Sequence, residues 1–168
     1  MNIFVLDKDP IVAAQSQHNK HVVKMVVETT QLLSTSLRLL CGPHATTMLY
    51  RSTHTRHPCA IWTSSEAQNM EWLLAHGKAL LAEYTHRYGK IHKSTVILEE
   101  ATKLFSTVSP SAWTHELSTR PQCMPDEYRC DDTVTAYRRY YIACKLTPGG
   151  RSASWKHREI PAWIPILP

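Results

Sequence analysis

The chain predicts a mainly α, single globular domain over residues 1–168: about four helices, a short N-terminal β-strand and an extended C-terminal strap. Three observations carry this. Apolar residues recur at helical spacing in long stretches, and glycine or proline closes those stretches. The apolar fraction of 43% and charged fraction of 20% are those of an ordinary water-exposed globule, long enough to bury its own core.

Taken in order, Met1 to Asp7 is a short apolar run with no basic lead-in and no small-residue cleavage site. It reads as the first β-strand of a mature cytosolic protein. Asp9 then caps, and Pro10 opens, a first helix from about 11 to 40 that ends at Cys41-Gly42-Pro43. A bend is expected near Ser16 to Asn19, where apolar residues thin out. Residues 42 to 62 form a basic loop. Thr63-Ser64-Ser65-Glu66 matches a capping box for a second helix reaching Tyr88, with Gly77 inside it marking a close helix contact and Gly89 ending it. A third helix is expected over 95–105, followed by an ordered loop over 106–130. A fourth starts at Asp131 or Asp132, runs through Lys145, and is stopped by Pro148-Gly149-Gly150. Two tryptophans and two prolines among Trp155 to Pro165 suggest a strap laid on the body.

The totals narrow the function. No run approaches the roughly 18 consecutive apolar residues of a membrane span. Five cysteines, never spaced C-x-x-C, argue for reduced thiols rather than a disulfide framework or zinc ribbon. A net charge of +5 with ten histidines uncounted suggests a polyanionic partner, DNA or a nucleotide.

The first helix carries the most informative face. Val22, Val26, Leu33, Leu37 and Leu40 form its buried stripe, while Lys20, Lys24, Glu28, Gln31 and Thr35 share another side. His18 and His21 stand beside the lysines. Such a face is either ordinary solvated surface or a site. Glu28 is the sole acid between Asp9 and Glu66, so carboxylate chemistry on this face must use it. The candidate catalytic residues are therefore Glu28, Lys24, His21 and Lys20. A basic-aromatic set, Arg56, His57, Trp62, Asn69, Trp72, Arg87, His92, Lys93, Arg138 and Lys145, supplies cations for phosphates and rings for bases. Tyr84, Tyr88, Tyr137 and Tyr141 fit core stripes equally well.

Metal binding has one local candidate, His54, His57 and Cys59, with His18 and His21 as further donors. H-x-x-H-x-C matches no common structural zinc spacing, and H-E-x-x-H is absent. No metal ligand and no cofactor is assigned. There is also no phosphate-binding P-loop, dinucleotide fingerprint or G-x-S-x-G elbow.

Motifs along nearly the whole chain resemble a family of small tailed-phage and large-DNA-virus proteins without an assigned reaction. They are Asn2-Ile3-Phe4 to Asp7 with Asp9-Pro10, Lys20-His21-Val22-Val23-Lys24-Met25 with Glu28, His57-Pro58 with Trp62, Asn69 with Trp72-Leu73, Glu83-Tyr84 with Arg87-Tyr88-Gly89-Lys90, His92-Lys93, Met124-Pro125 with Tyr128, and Ala136-Tyr137-Arg138 with Tyr140-Tyr141. That resemblance implies a viral setting and the cytoplasm of a host cell. The layout, a long first helix bearing one glutamate, a basic His-containing loop and an aromatic-basic tail, is similar to the phage pyrimidine-dimer DNA glycosylases. In that family a helix-one glutamate and the N-terminal amine perform glycosylase and lyase chemistry, and Glu28 is the matching position. The amine carries over less well, because a Met-Asn start retains methionine and a first strand would tie it down. Lys20 or Lys24 then stands in as imine-forming nucleophile.

The expected function is thus cleavage of a pyrimidine N-glycosidic bond in DNA or a nucleotide. The alternatives are a non-catalytic DNA- or host-protein-binding module using the same basic face, and a metal-dependent hydrolase built on His18, His21, His54 and His57.

Overall fold

The computed structural model describes residues 1–147 and 152–165. Among these, six α-helices follow in order: α1 (Pro10–Gln15), α2 (Asn19–Cys41), α3 (Pro58–Ser65), α4 (Ala67–Tyr88), α5 (Thr95–Phe105) and α6 (Thr133–Lys145). Short 3₁₀ turns lie at Gly42–His44, Pro110–Ala112 and Asp126–Tyr128. The domain is mainly α as expected, and α2 is its axis, packing against α3, α4 and α5 while α1 lies on α4.

The expected N-terminal β-strand is not formed: no described residue is in a strand. Ile3, Phe4, Val5 and Leu6 are deeply buried, but no neighbouring chain offers them a ladder. Their polar groups are met otherwise. The Ile3 N–H donates to Asn2 Oδ1 at 2.8 Å, and the Leu6 carbonyl accepts from Arg138 Nε at 2.8 Å. Phe4 sits at φ 47, and Leu6 N–H bonds the Phe4 carbonyl in a tight turn that ends any extended path. A short, wholly apolar run is compatible with burial in several conformations, and tertiary contacts chose this one.

The helix count also rises from about four to six. Helix one is split at Ser16–His18 rather than bent, and at this buried break main-chain groups are satisfied by distant side chains. Arg87 Nη2 donates to the Gln15 carbonyl, Trp155 Nε1 to the Ser16 carbonyl, and the His18 N–H donates to Tyr141 Oη, all at 3.0 Å. Part of the supposed basic loop is α3. Pro58 occupies its first turn, where a missing N–H costs nothing, and His57 Nδ1 accepts from the Cys59 N–H at 3.1 Å as its cap. The Thr63–Glu66 capping box is therefore overturned, since Thr63, Ser64 and Ser65 end α3 and Glu66 makes no side-chain cap to α4.

Other elements fall where expected. Gly77 is the close approach of α4: a β-carbon there would stand 3.0 Å from Leu98 Cδ1 and 3.3 Å from Thr29 Cγ2. Gly89 closes α4 in the left-handed conformation at φ 64, where other residues are strained. Asp132 caps α6 through the Thr135 N–H at 2.8 Å. The expected stop at Pro148-Gly149-Gly150 lies outside the described residues. Residues 152–165 lie across the α1–α2 break, held by the Asn19 main chain on Ser154 and by Trp155. No helix among the described residues is long and apolar enough to cross a membrane.

Candidate active site around Glu28

The 23 residues of α2 set both the position and the partners of Glu28. One face of the helix is buried, leaving Glu28 at its border with a side chain 14% exposed. Its two carboxylate oxygens are shared. Lys24, one turn earlier, brings Nζ to 3.1 Å from Oε1. The main-chain nitrogen of Asn2 donates to Oε2 at 3.1 Å. The head of the chain thus rests on the helix glutamate, a contact spanning 26 residues of sequence.

Asn2 is held on every side. Its Nδ2 donates to the Cys123 carbonyl at 2.8 Å, and its Oδ1 accepts from Tyr137 Oη at 2.7 Å as well as from Ile3. Tyr137 Oη in turn accepts from the Cys123 N–H at 3.2 Å. The loop before α6 and α6 itself therefore fix the first residues against α2. His57 joins the group from α3. Burial, the chain's terminal amine and His54 lower its pKa, against the Met1 carbonyl and Glu28, which favour the protonated ring. Cys59 and Cys123 complete the floor with sulfurs 3.6 Å apart. An open pocket of about 440 Å³ beside them is lined by His57, Pro58, Gln122, Cys123, Met124 and Arg129.

Glu28 thus meets a peptide N–H on one oxygen and a lysine ammonium on the other, a setting in which a carboxylate can stabilise positive charge or accept a proton. Residues 1–96, which hold Asn2, Lys24, Glu28, His57 and Cys59, match the family described as pyrimidine dimer DNA glycosylase.

The chain belongs to that family.

No curated protein and no solved structure matches it. Membership makes DNA the implied partner. Cys123, Tyr137 and Arg129, which complete the site's floor, lie beyond the matched segment.

The other expected site residues are dispersed. Lys20 and Lys24 are exposed on the first turns of α2. Lys145 reaches over the rings of Tyr140 and Phe4, at 4.7 and 6.0 Å from their centroids. His21 is inside, its ring 4.7 Å from Phe4, 4.3 Å from His18 and 5.1 Å from Tyr141. Arg87 is also interior, 1% exposed, with Nε 2.6 Å from Glu83 Oε1 and Nη1 on Asn19 Oδ1. Trp62 is buried with its Nε1 on the Ser118 carbonyl, and Asn69 bonds the Trp62 and Leu117 carbonyls. Trp72 is partly exposed, donates to the Lys8 carbonyl and is covered by Arg120 at 4.3 Å. Arg138 pairs with Asp7 at 3.0 Å and lies over Trp163. His92 and Lys93 sit in the α4–α5 connection, His92 against Tyr84. Arg56 is exposed in the turn before α3.

The sequence reading missed Asn2, Tyr137, Cys123 and Arg129. Asn2 had a signal: a polar residue in an otherwise apolar head must bond something once buried.

The interior histidines predict a pH dependence. Burial first, then the charges of Lys20, Arg87 and Lys145, pushes His18 down to about 4. Burial, His18, Lys145 and Lys24 push His21 down to about 3. Burial, aided by the charge of Arg120, outweighs the Pro10 carbonyl at His76, which falls to about 4. All three are lowered, so the unfolded chain binds protons first, below about 6.5. Stability is complete above that pH and is lost as pH falls towards 4 and 3. The urea midpoint should therefore fall steadily from pH 7 to pH 4, and a flat profile would contradict the neutral buried rings.

Proposed function

We propose that this chain is a DNA N-glycosylase acting on pyrimidine dimers, with Glu28 as its catalytic carboxylate. The observation that carries this reading is the contact between Glu28 Oε2 and the main-chain nitrogen of Asn2, at 3.1 Å, in a chain of this family. The contact brings the head of the chain, one residue before that peptide nitrogen, to the helix-two carboxylate, which supports a shared role for the two.

In this mechanism the amine at the head of the chain attacks C1′ of the damaged nucleotide. The C1′–N1 bond breaks, its electron pair leaves with the base, and the base takes up a proton. Ring opening gives an iminium between C1′ and the amine. Loss of a C2′ proton then expels the 3′ phosphate, and water releases the amine. Glu28 carries the negative charge that stabilises the cationic sugar and accepts protons passing between amine and sugar. Lys24, 3.1 Å from the same carboxylate, orients Glu28 and contacts a phosphate. Lys20, Lys145, Arg129 and Arg56 neutralise neighbouring phosphates. The N-terminal amine is favoured over Lys24 as nucleophile because the Lys24 ammonium is engaged in its ion pair with Glu28, while the peptide nitrogen next to the amine meets the same carboxylate.

Sodium borohydride trapping on UV-irradiated duplex DNA tests this directly. Reduction converts the imine to a stable amine link, and peptide mapping locates it. The expected adduct is on the chain's first residue. An adduct on Lys24 would overturn the nucleophile, and a reaction yielding neither adduct nor abasic product would overturn the glycosylase reading.

A further inference from the structure

Two residues that line the open pocket, His57 and Cys123, form a donor set with the buried Cys59. One nitrogen of His57, Cys59 Sγ and Cys123 Sγ all lie within 4.8 Å of one another. The two sulfurs are 3.6 Å apart. A tetrahedral ion with metal–sulfur bonds of about 2.3 Å requires a sulfur–sulfur edge of about 3.8 Å. Little movement therefore separates this arrangement from a chelate. We propose that His57, Cys59 and Cys123 bind one zinc ion, with a fourth position open to the neighbouring pocket.

Several features suit such a site. The donors come from two separate places, the start of α3 and a loop 64 residues away, so an ion would tie these together. Cys59 is buried within the core, whereas Cys123 is partly exposed at the pocket wall, which gives an entry path. Two thiolates and a neutral imidazole balance the ion's charge. Nδ1 of His57 accepts the Cys59 N–H at 3.1 Å, which fixes the ring next to Cys59. One histidine and two cysteines with an open position make a soft site that zinc fills and calcium or magnesium does not.

The consequence reaches Glu28. Cys123 holds Asn2 through its carbonyl, and Asn2 holds Glu28. An ion that fixes Cys123 against α3 would fix the head of the chain as well. The site rests on its own geometry, so it stands or falls independently of the glycosylase reading.

The test uses the full chain, purified under reducing conditions, supplied with zinc and desalted. The expected result is one zinc per chain and a higher thermal midpoint. Cobalt in its place should give a thiolate-to-metal charge-transfer band. Cys123→Ser should lose the metal, the band and the stabilisation. His57→Asn, which retains a side chain able to cap α3, should bind more weakly while folding normally, and it covers the case in which a cysteine variant fails to fold. A wild-type chain that retains no zinc, or variants that retain it undiminished, would overturn the proposal.

Discussion

Glu28→Gln is expected to lower the rate of base release from dimer-containing DNA by about two to four orders of magnitude, the range for losing a positioned acid–base group. Folding should be unaffected. Glutamine has the same shape, its carbonyl still accepts the Asn2 N–H, and the ion pair lost with the 67%-exposed Lys24 is a surface pair of little energetic value. Binding should not weaken, because the change removes a negative charge from beside the phosphates. The measurement is single-turnover cleavage of UV-irradiated duplex with matched thermal unfolding and DNA affinity. Turnover equal to wild type would remove Glu28 from the mechanism. Lost turnover with lost folding would assign it a structural role.

Glu83→Gln should produce the largest loss of stability of any single change considered, about 3–5 kcal/mol. Glu83 is 1% exposed and joins two arginines from opposite directions. Arg87 Nε lies 2.6 Å from one oxygen, and Arg158 Nη2 lies 2.9 Å from the other. Burial opposes ionisation of Glu83, but hydrogen bonds from Arg158 and Arg87 prevail and hold its pKa below the usual value. Removing the charge strands Arg87, whose side chain is fully buried. Arg158 is 35% exposed and can turn to water, so Arg158→Ala should cost clearly less. Urea unfolding of both variants checks the ordering, and equal losses would show that the tail, not the buried charge, dominates. This cluster also matters for the site. Arg87 grips the Gln15 carbonyl and Asn19 Oδ1 on either side of the α1–α2 break. It therefore sets the angle at which α2 presents Lys20, Lys24 and Glu28.

Much was legible locally. The stripe Val22, Val26, Leu33 and Leu37 marked α2 because helical spacing places those residues on one face, and all four are buried. Gly77 marked a close contact, and the Asp131-Asp132 pair marked a cap that the structure assigns to Asp132, because each obeys rules within a few residues. Glu28 stood out by charge alone. Tertiary structure decided what depends on partners far away in sequence. The apolar run Ile3 to Leu6 has a strand's composition, but a strand needs a neighbour to complete its hydrogen bonds, and none is in place among the described residues. The break at Ser16–His18 exists because Arg87, Trp155 and Tyr141 supply bonds the helix gives up. Arg87 and Trp62 looked like surface binding groups until packing enclosed them, since a cation or an indole reads the same in sequence whether buried or exposed. The cysteine pair follows the same rule. His57 and Cys59 are two residues apart and visible as a fragment, but Cys123 joins them only when the chain has folded. Sequence alone determined the helical class and singled out the carboxylate. Its contact with Asn2, and the meeting of His57, Cys59 and Cys123, are set by distant segments, which short-range periodicity does not encode.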